Sequence, residues 1–182
     1  MDTLRFGLGL AVIGACLGTV PAPAQQAPPT VPPCAADTAM HALDFWLGRW
    51  TVVDSAGTKL GDDTVEAILN GCAVTERWRG AEGDEGMSLF FYVPALKRWR
   101  QVWVTGQALG VGGLKEKELI ARYPDGGTRF QGVLQGSRGV ILDRTTLRPA
   151  ADGRVSQRIE ISRDGGNAWV TTFEATYVRS PP

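Results

Sequence analysis

Glu76 is the residue of this chain best placed by its neighbours to act as an acid or a base. Side chains alternate between the two faces of a β-strand, and Val74, Glu76 and Trp78 share one face of the segment 73–79. If Trp78 faces the interior, Glu76 does too. A buried carboxylate must be paired or hydrogen-bonded, or it becomes protonated. Glu76 is therefore a candidate general acid or base, although no partner for it can be identified from the sequence.

Other polar side chains alternate with apolar ones in the same way. Gln101 lies between Trp99 and Trp103, and Gln157 lies between Val155 and Ile159. Aromatic walls with a few polar groups are typical of a small-molecule site. The predicted pocket contains Glu76, Trp78, Trp99, Gln101, Trp103, Gln157 and Tyr177. A buried polar network that only stabilises the fold explains the same pattern, and both interpretations stay open.

The composition argues against several classes of chemistry. His41 is the only histidine among the 182 residues, and no Cys/His spacing of a metal site, phosphate-binding loop or Ser-His-Asp set is found. We predict no metal and no cofactor, and consider an enzyme the less favoured class. Lys plus Arg equals Asp plus Glu at 19 each, which predicts neither nucleic-acid binding nor a basic membrane-binding patch.

The N-terminus predicts export. Arg5, an apolar run over 6–20 and the small-x-small sequence Ala22-Pro23-Ala24 are typical of a secretory signal peptide. We divide the chain into a signal peptide (1–24), a Pro-rich spacer (25–36) and one barrel domain (37–180), located in the periplasm or secreted. Ile13-Gly14-Ala15-Cys16 resembles a bacterial lipobox, so lipidation of Cys16 is the alternative and the one predicted route to a membrane.

Removal of the leader leaves two cysteines, Cys34 and Cys72. An even number of cysteines in an exported domain predicts a disulfide. Closing a loop of about 38 residues stabilises a fold by a few kcal/mol in the chain-entropy model. Two free thiols are the competing interpretation.

The remaining chain predicts an all-β fold. A short helix is expected over 36–46, capped by Asp37 or Thr38. The segment Met87–Val93 is almost entirely apolar, which predicts a strand covered on both faces. No helices separate the strands, which excludes parallel crossovers. We therefore predict an antiparallel up-and-down barrel of roughly 8–10 strands, with a sandwich as the alternative. The strands are expected at 51–54, 63–70, 73–79, 87–93, 99–105, 116–123, 128–135, 139–148, 154–162 and 168–178.

The segment Ser162–Trp169 matches the pattern S-x-D-x-G-x-x-W of the Asp-box hairpin. Such hairpins recur in the blades of sialidase propellers, which need several copies. A single copy predicts a structural turn, with Asp164 accepting turn amides and Trp169 packed beneath it.

The opening of the barrel resembles the calycins, the group that contains lipocalins and fatty-acid-binding proteins. Gly48-x-Trp50 follows a short helix, and Arg179 ends the last strand. In calycins the tryptophan plugs one end of the barrel and an arginine of the last strand lies over its ring. The resemblance therefore implies a closed end built from Gly48, Trp50 and Arg179, with a cation–π pair of about 1 kcal/mol.

A closer resemblance is to exported bacterial lipocalin-like domains of unknown function. The shared features are a DFWxGxW start over 44–50, Asn70-Gly71-Cys72 leading to Glu76-Arg77-Trp78, the tryptophan-rich segment 98–103 and the hairpin over 162–169. This resemblance implies a fold but no reaction.

Three functions remain open after the sequence. The leading expectation is a barrel that binds a small, mostly apolar ligand. The alternatives are an enzyme of the barrel cyclase or isomerase kind that uses Glu76, and a structural or interaction module with a filled barrel. A hollow interior would favour the binding protein or the enzyme, and a filled interior would favour the structural module. The sequence does not predict the oligomeric state.

Overall fold

The computed structural model describes residues 33–107 and 112–181, which form one closed barrel of ten antiparallel strands. The strands are β1 (Gly48–Val53), β2 (Lys59–Ile68), β3 (Ala73–Gly80), β4 (Glu85–Val93), β5 (Arg98–Thr105), β6 (Leu114–Arg122), β7 (Thr128–Gly136), β8 (Gly139–Pro149), β9 (Val155–Ser162) and β10 (Val170–Arg179). Each strand pairs with its neighbours in sequence, and β1 pairs with β10. The predicted up-and-down barrel is confirmed, and the alternative of a sandwich is wrong. The predicted signal peptide, Cys16 and spacer residues 25–32 lie outside the described residues.

A short helical segment covers one end of the barrel, where the sequence places a helix. It consists of 3-10 turns at Thr38–His41 and Asp44–Trp46, preceded by another at Pro33–Ala36. Asp37 caps the second turn by accepting the Ala39 amide at 2.9 Å. So short a segment cannot sustain an isolated α-helix, and the complete burial of Leu43 and Trp46 against the barrel sets its path instead.

The predicted disulfide between Cys34 and Cys72 is confirmed. It joins the turn Pro33–Ala36 to the chain that follows the turn Leu69–Gly71, between β2 and β3. The bond therefore fastens the N-terminal segment to the end of the barrel that this segment covers. None of the described helices is long and apolar enough to span a membrane.

The covered end of the barrel, which we call the closed end, is packed with aromatic rings. Trp46 contacts Phe90 and Tyr177 edge-on, both at 5.8 Å between ring centroids, and Tyr177 meets Trp50 at 6.2 Å. Trp50 is fully buried, and its Nε1 donates to the Trp46 carbonyl at 2.8 Å. Trp46, Trp50 and Tyr177 all belong to the main cluster of buried apolar residues, so this end of the barrel contains its hydrophobic core.

Arg179 completes the closed end. Its guanidinium lies 4.0 Å from the centre of the Trp50 ring and donates to the Leu47 carbonyl at 2.6 Å. It crosses directly over Gly48, where a Cβ atom would fall 1.9 Å from the guanidinium. The glycine and the tryptophan of the Gly48-x-Trp50 sequence are thus both explained by one arginine, and the contact that the resemblance implies is present.

Two expectations about the strands are wrong in detail. In β4, Met87 is 44% exposed and Leu89 is 38% exposed, while Ser88 and Phe90 are buried. The wall of a barrel has solvent on its outer face, so this apolar strand has one covered face only. The strand expected over 63–70 ends two residues early, because β2 ends at Ile68 and Leu69 lies exposed in the following turn.

The hairpin between β9 and β10 has the predicted structural role. Asp164 accepts the Ala168 amide at 2.9 Å, and Trp169 donates to the Gly166 carbonyl at 3.0 Å. Arg144 of β8 stacks on the Trp169 ring at 3.8 Å. The hairpin lies at the end of the barrel opposite to Trp50, which we call the open end.

Candidate functional site

A cavity of about 310 Å³ enters the barrel from the open end. Its walls and floor mix aromatic, charged and amide side chains. The lining residues are Glu76, Trp78, Asp84, Gln101, Trp103, Lys115, Lys117, Thr145, Gln157, Ile159, Thr172, Phe173 and Tyr177. The described part of the barrel is therefore hollow at one end and filled at the other.

Two tryptophans form the walls at the mouth of the cavity. Trp78 packs over Gly61 and Trp103 packs over Gly86, where added Cβ atoms would fall 2.6 Å and 2.5 Å from the indole rings. Trp78 is also fixed by its Nε1, which donates to Asp84 at 2.8 Å. The glycines thus let large rings lie flat against the inside of the barrel, which leaves the centre open.

A hydrogen-bonded chain crosses three strands below the tryptophans. The Gln101 amide donates to the Ser88 hydroxyl at 3.0 Å, and Ser88 donates to Glu76 at 2.5 Å. Glu76 and Ser88 are directly opposite each other in the β3–β4 register. The chain gives Glu76 the partner that the sequence does not reveal, because the Ser88 hydroxyl donates to its carboxylate.

A buried lysine lies on the strand next to Gln101, at the far end of this hydrogen-bonded chain from Glu76. Lys117 Nζ binds Asp143 Oδ1 at 2.5 Å and Thr145 Oγ1 at 2.6 Å. Lys115 binds the other oxygen of Asp143 at 2.8 Å. Gln101 and Lys117 face each other across β5 and β6, so the acidic and basic sides of the cavity are neighbours.

Burial and nearby charges shift the pKa of both ions of this pair. Burial lowers the pKa of Lys117 to about 8, against the opposing attraction of Asp143. Burial alone raises the pKa of Asp143, but the charges of Lys117 and Lys115 outweigh it and hold the pKa below its ordinary value. Asp143 is therefore ionised, whereas Lys117 loses its proton far more easily than an ordinary lysine.

A second carboxyl group, Asp63, lies beside Glu76 inside the barrel. It is almost fully buried, and neither oxygen has a hydrogen-bond partner of ordinary geometry among the described residues. Burial and the charge of Glu76 raise the pKa of Asp63 to about 9, despite weak stabilisation by the Thr64 amide. Burial raises the pKa of Glu76 to about 7, opposed by the Ser88 hydrogen bond and the charge of Lys117. Asp63 is therefore neutral near neutral pH, and Glu76 is near half-protonation.

Tyr177 connects the cavity to the closed end. Its ring contacts Trp46 and Trp50, while its hydroxyl donates to Gln157 at 3.0 Å on the cavity side. Burial and the nearby Asp63 and Glu76 raise the pKa of Tyr177 well above its ordinary value. Its phenol is therefore a fixed neutral group in the floor of the cavity.

The structure brings six of the seven predicted pocket residues to this cavity. Trp99 is the exception. It faces inward but is completely buried in the closed end, where its Nε1 donates to the Ala39 carbonyl at 2.7 Å. The sequence places Trp99 and Trp103 on one face correctly, but the depth of each along the barrel axis depends on the closed end.

The sequence did not identify Lys117, nor the polar side chains around Glu76 and Lys117, which are Asp63, Ser88, Lys115, Asp143 and Thr145. One signal was available. In β8, Ile141 and Leu147 are apolar at an even spacing, which puts Asp143 and Thr145 on the same inward face. The alternating Lys and Glu residues of 115–118 carry no such signal, because both faces of that stretch are charged.

The arrangement offers hydrogen-bond donors, acceptors and two groups that exchange protons near neutral pH, Glu76 and Lys117. No group of three or more His, Cys, Asp and Glu residues within 33–107 and 112–181 is arranged to hold a metal ion. Such a cavity can bind a small molecule with polar groups and can transfer protons to it.

No protein-family model and no curated protein matches this chain. The ten-stranded antiparallel barrel is consistent with a calycin-like fold.

Proposed function

We propose that this protein is an exported lipocalin-like barrel that binds one small molecule in the cavity at its open end. The observation that carries the proposal is the division of the barrel interior. One end is closed by Trp50 and Arg179, while the other keeps about 310 Å³ open between Trp78 and Trp103. A cavity of this size is at the lower end of the range for small-molecule sites.

The lining favours a ligand with a flat apolar part and a polar head. Trp78, Trp103 and Phe173 offer ring faces and edges near the mouth, whereas Glu76 and Lys117 lie deeper. The sequence predicts a mostly apolar ligand, but polar side chains outnumber apolar ones in the lining of the cavity. We therefore expect the ligand to carry a polar group as well as an apolar part. We expect the aromatic part to stack on the indoles and the head to exchange hydrogen bonds with the floor.

Export is supported by the disulfide between Cys34 and Cys72. Disulfides persist in oxidising compartments and are rare in the cytosol. Together with the N-terminal signal pattern, this favours the periplasm or the extracellular space, and the lipidated form through Cys16 remains the alternative.

A proton-transfer enzyme is the second candidate function. The observation that favours it is Glu76, a buried carboxyl at the cavity with a pKa raised to about 7 by burial. A general acid or base works best when its pKa is near the working pH. An enzyme of the cyclase or isomerase kind would lose activity with Glu76→Gln, while a binder would keep its affinity for a ligand that does not pair with the carboxylate.

Ligand binding can be tested with anilinonaphthalene sulfonate, a fluorescent aromatic probe with one polar head. We expect saturable binding that enhances the probe emission and quenches tryptophan emission, because Trp78 and Trp103 flank the cavity. Native mass spectrometry of protein purified from its own host then tests for a retained natural ligand.

Ile159→Phe and Val133→Phe form a matched pair for this test. Ile159 lines the cavity, so the larger ring fills it, whereas Val133 is exposed on the outside of the barrel. The first variant should lose at least about tenfold in probe affinity, which corresponds to about 1.4 kcal/mol, and the second should bind like wild type. Equal binding by both variants would place the probe elsewhere and overturn the proposal.

A further inference from the structure

We propose that Lys117 binds carbonyl compounds covalently, by forming a Schiff base with a small aromatic aldehyde or ketone that enters the cavity. The inference rests on the proposed ligand site and names the chemical class of its ligand. It uses a group that simple binding leaves without a role, a lysine buried in the floor of the cavity.

The position of Lys117 suits this chemistry. Its side chain is 2% exposed, yet it and its partner Thr145 both line the cavity. A ligand that enters between the tryptophans therefore reaches only two amines of lysine side chains, those of Lys117 and its neighbour Lys115. The protein has four lysines in all, and the remaining two, Lys59 and Lys97, are exposed on the surface.

The surroundings of Lys117 favour its neutral, nucleophilic form. Enzymes activate lysines for attack on carbonyl groups by desolvation and by a second cation nearby. Lys117 has both, since it is buried and Lys115 binds the same carboxylate. Burial first, and then the charge of Lys115, lower the pKa of Lys117 to about 8, against the attraction of Asp143.

The reaction balances with groups of the cavity. The neutral Lys117 amine adds to the carbonyl carbon and gives a carbinolamine. A proton from neutral Glu76, which interacts electrostatically with Lys117, goes to the carbinolamine hydroxyl, which leaves as water. The products are a protonated imine, an ionised Glu76 and one water molecule. The negative charges of Asp143 and Glu76 then stabilise the positive imine.

The aromatic walls explain why the carbonyl carrier should be aromatic. Trp78, Trp103 and Phe173 lie between the mouth and Lys117 and offer ring faces and edges. A flat ring that packs there holds its carbonyl carbon near the amine, which raises the effective concentration of the aldehyde at Lys117.

The test is reductive trapping of full-length mature protein with benzaldehyde and cyanoborohydride at about pH 8, followed by intact mass and peptide mapping. We expect one benzyl group per chain, located on Lys117. Because the reaction needs neutral Lys117 and protonated Glu76, the rate of trapping should be greatest between about pH 7 and about pH 8 and should fall on either side. Equal labelling of all four lysines, or labelling that avoids Lys117, would overturn the proposal.

Two variants and one denatured control sharpen the result. Lys115→Arg keeps the positive charge beside Asp143 and should leave trapping at Lys117 in place. Lys117→Arg keeps the ion pair but removes the amine and should abolish the preferential single label. Protein unfolded in urea should lose the preference for Lys117, since the cavity is gone. A preference that survives unfolding would show that local sequence, not the cavity, directs the label.

The outcome is separable from that of the proposed function. Binding of anilinonaphthalene sulfonate that depends on Ile159, without trapping at Lys117, would leave the ligand site standing and overturn the Schiff base. Trapping at Lys117 that Ile159→Phe blocks supports both. Trapping that Ile159→Phe leaves unchanged would overturn the assignment of the carbonyl compound to this cavity.

Discussion

The two ends of this barrel are built from similar aromatic residues but in opposite ways. At the closed end, the rings of Trp46, Trp50 and Tyr177 pack against one another and exclude water. At the open end, Trp78 and Trp103 lie flat against glycines of the wall and leave the centre empty. The same residue type therefore fills the barrel at one end and lines a cavity at the other.

The contrast extends to charge. At the closed end, Arg179 lies outside the ring stack, over the Trp50 ring, and donates to a backbone carbonyl. The open end keeps Glu76, Lys117 and Asp143 inside, and Asp63 lies between Glu76 and the closed end, opposite Trp50; burial displaces the pKa values of Asp63, Glu76 and Lys117. Burying ionisable groups costs stability unless they are paired. The closed end thus stabilises the fold, while the open end holds groups that suit the proposed binding site.

The largest expected effect comes from removing one tryptophan from each end. Trp50→Ala should lower the free energy of unfolding by about 4 kcal/mol, because it leaves a cavity in a completely packed core. Trp78→Ala should cost only about 1–2 kcal/mol, since the half-buried ring already borders an open space. Urea unfolding with the disulfide intact measures both.

The affinity for the fluorescent probe should respond in the reverse order, with the larger effect at the open end. Trp78→Ala should weaken anilinonaphthalene sulfonate binding, while Trp50→Ala, at a temperature where it is folded, should leave it close to wild type. Equal losses of stability in the two variants would contradict the division of the barrel into a packed end and an open end.

The two ends also differ in how well the sequence predicts them. The closed end follows from a local pattern, Gly48-x-Trp50, and from one terminal residue, Arg179. Strand alternation correctly turned Glu76, Gln101 and Gln157 inward, because that needs only a period of two.

The basic side of the cavity could not be predicted in the same way. Lys117 and Asp143 are 26 residues apart, and their contact depends on the closure of the barrel and on the registers of β6, β7 and β8. In the Lys115–Glu118 stretch both faces are charged, so alternation does not say which face is buried. The structure places Trp99 in the closed end and not at the cavity for a related reason: alternation gives the face of a strand but not the depth along the barrel.

The next prediction concerns Asp63 and the pH dependence of stability. Its pKa is raised in the folded state to about 9 by burial and by Glu76, so between the unfolded and folded pKa values the folded protein binds one more proton. The stabilisation is fully present below the unfolded pKa and is lost as the pH rises toward about 9. Asp63→Asn should therefore flatten the fall in unfolding free energy between about pH 5 and about pH 8, by about 1 kcal/mol per pH unit.

Asp62→Asn is the matched control for that experiment. Asp62 is the adjacent residue of β2, faces solvent and pairs with Lys59 at the surface. Its removal should leave the pH dependence of unfolding as in wild type. A slope that Asp63→Asn leaves unchanged would mean that Asp63 is ionised in the folded protein, and the barrel interior would then hold one more negative charge at neutral pH.

The smallest expected effect tests how Arg179 closes the packed end. Arg179→Met keeps an apolar side chain over Trp50 but removes the cation–π contact and the hydrogen bond to Leu47, which should cost about 1–2 kcal/mol. Arg179→Lys keeps the charge but not the planar group, and should recover only part of that loss. Arg77→Met, which breaks an exposed pair with Glu66, should cost less than about 0.5 kcal/mol. If Arg179→Met were as mild as Arg77→Met, the seal of the closed end would lie in the tryptophan stack alone, and the arginine over Gly48 would be a surface residue like any other.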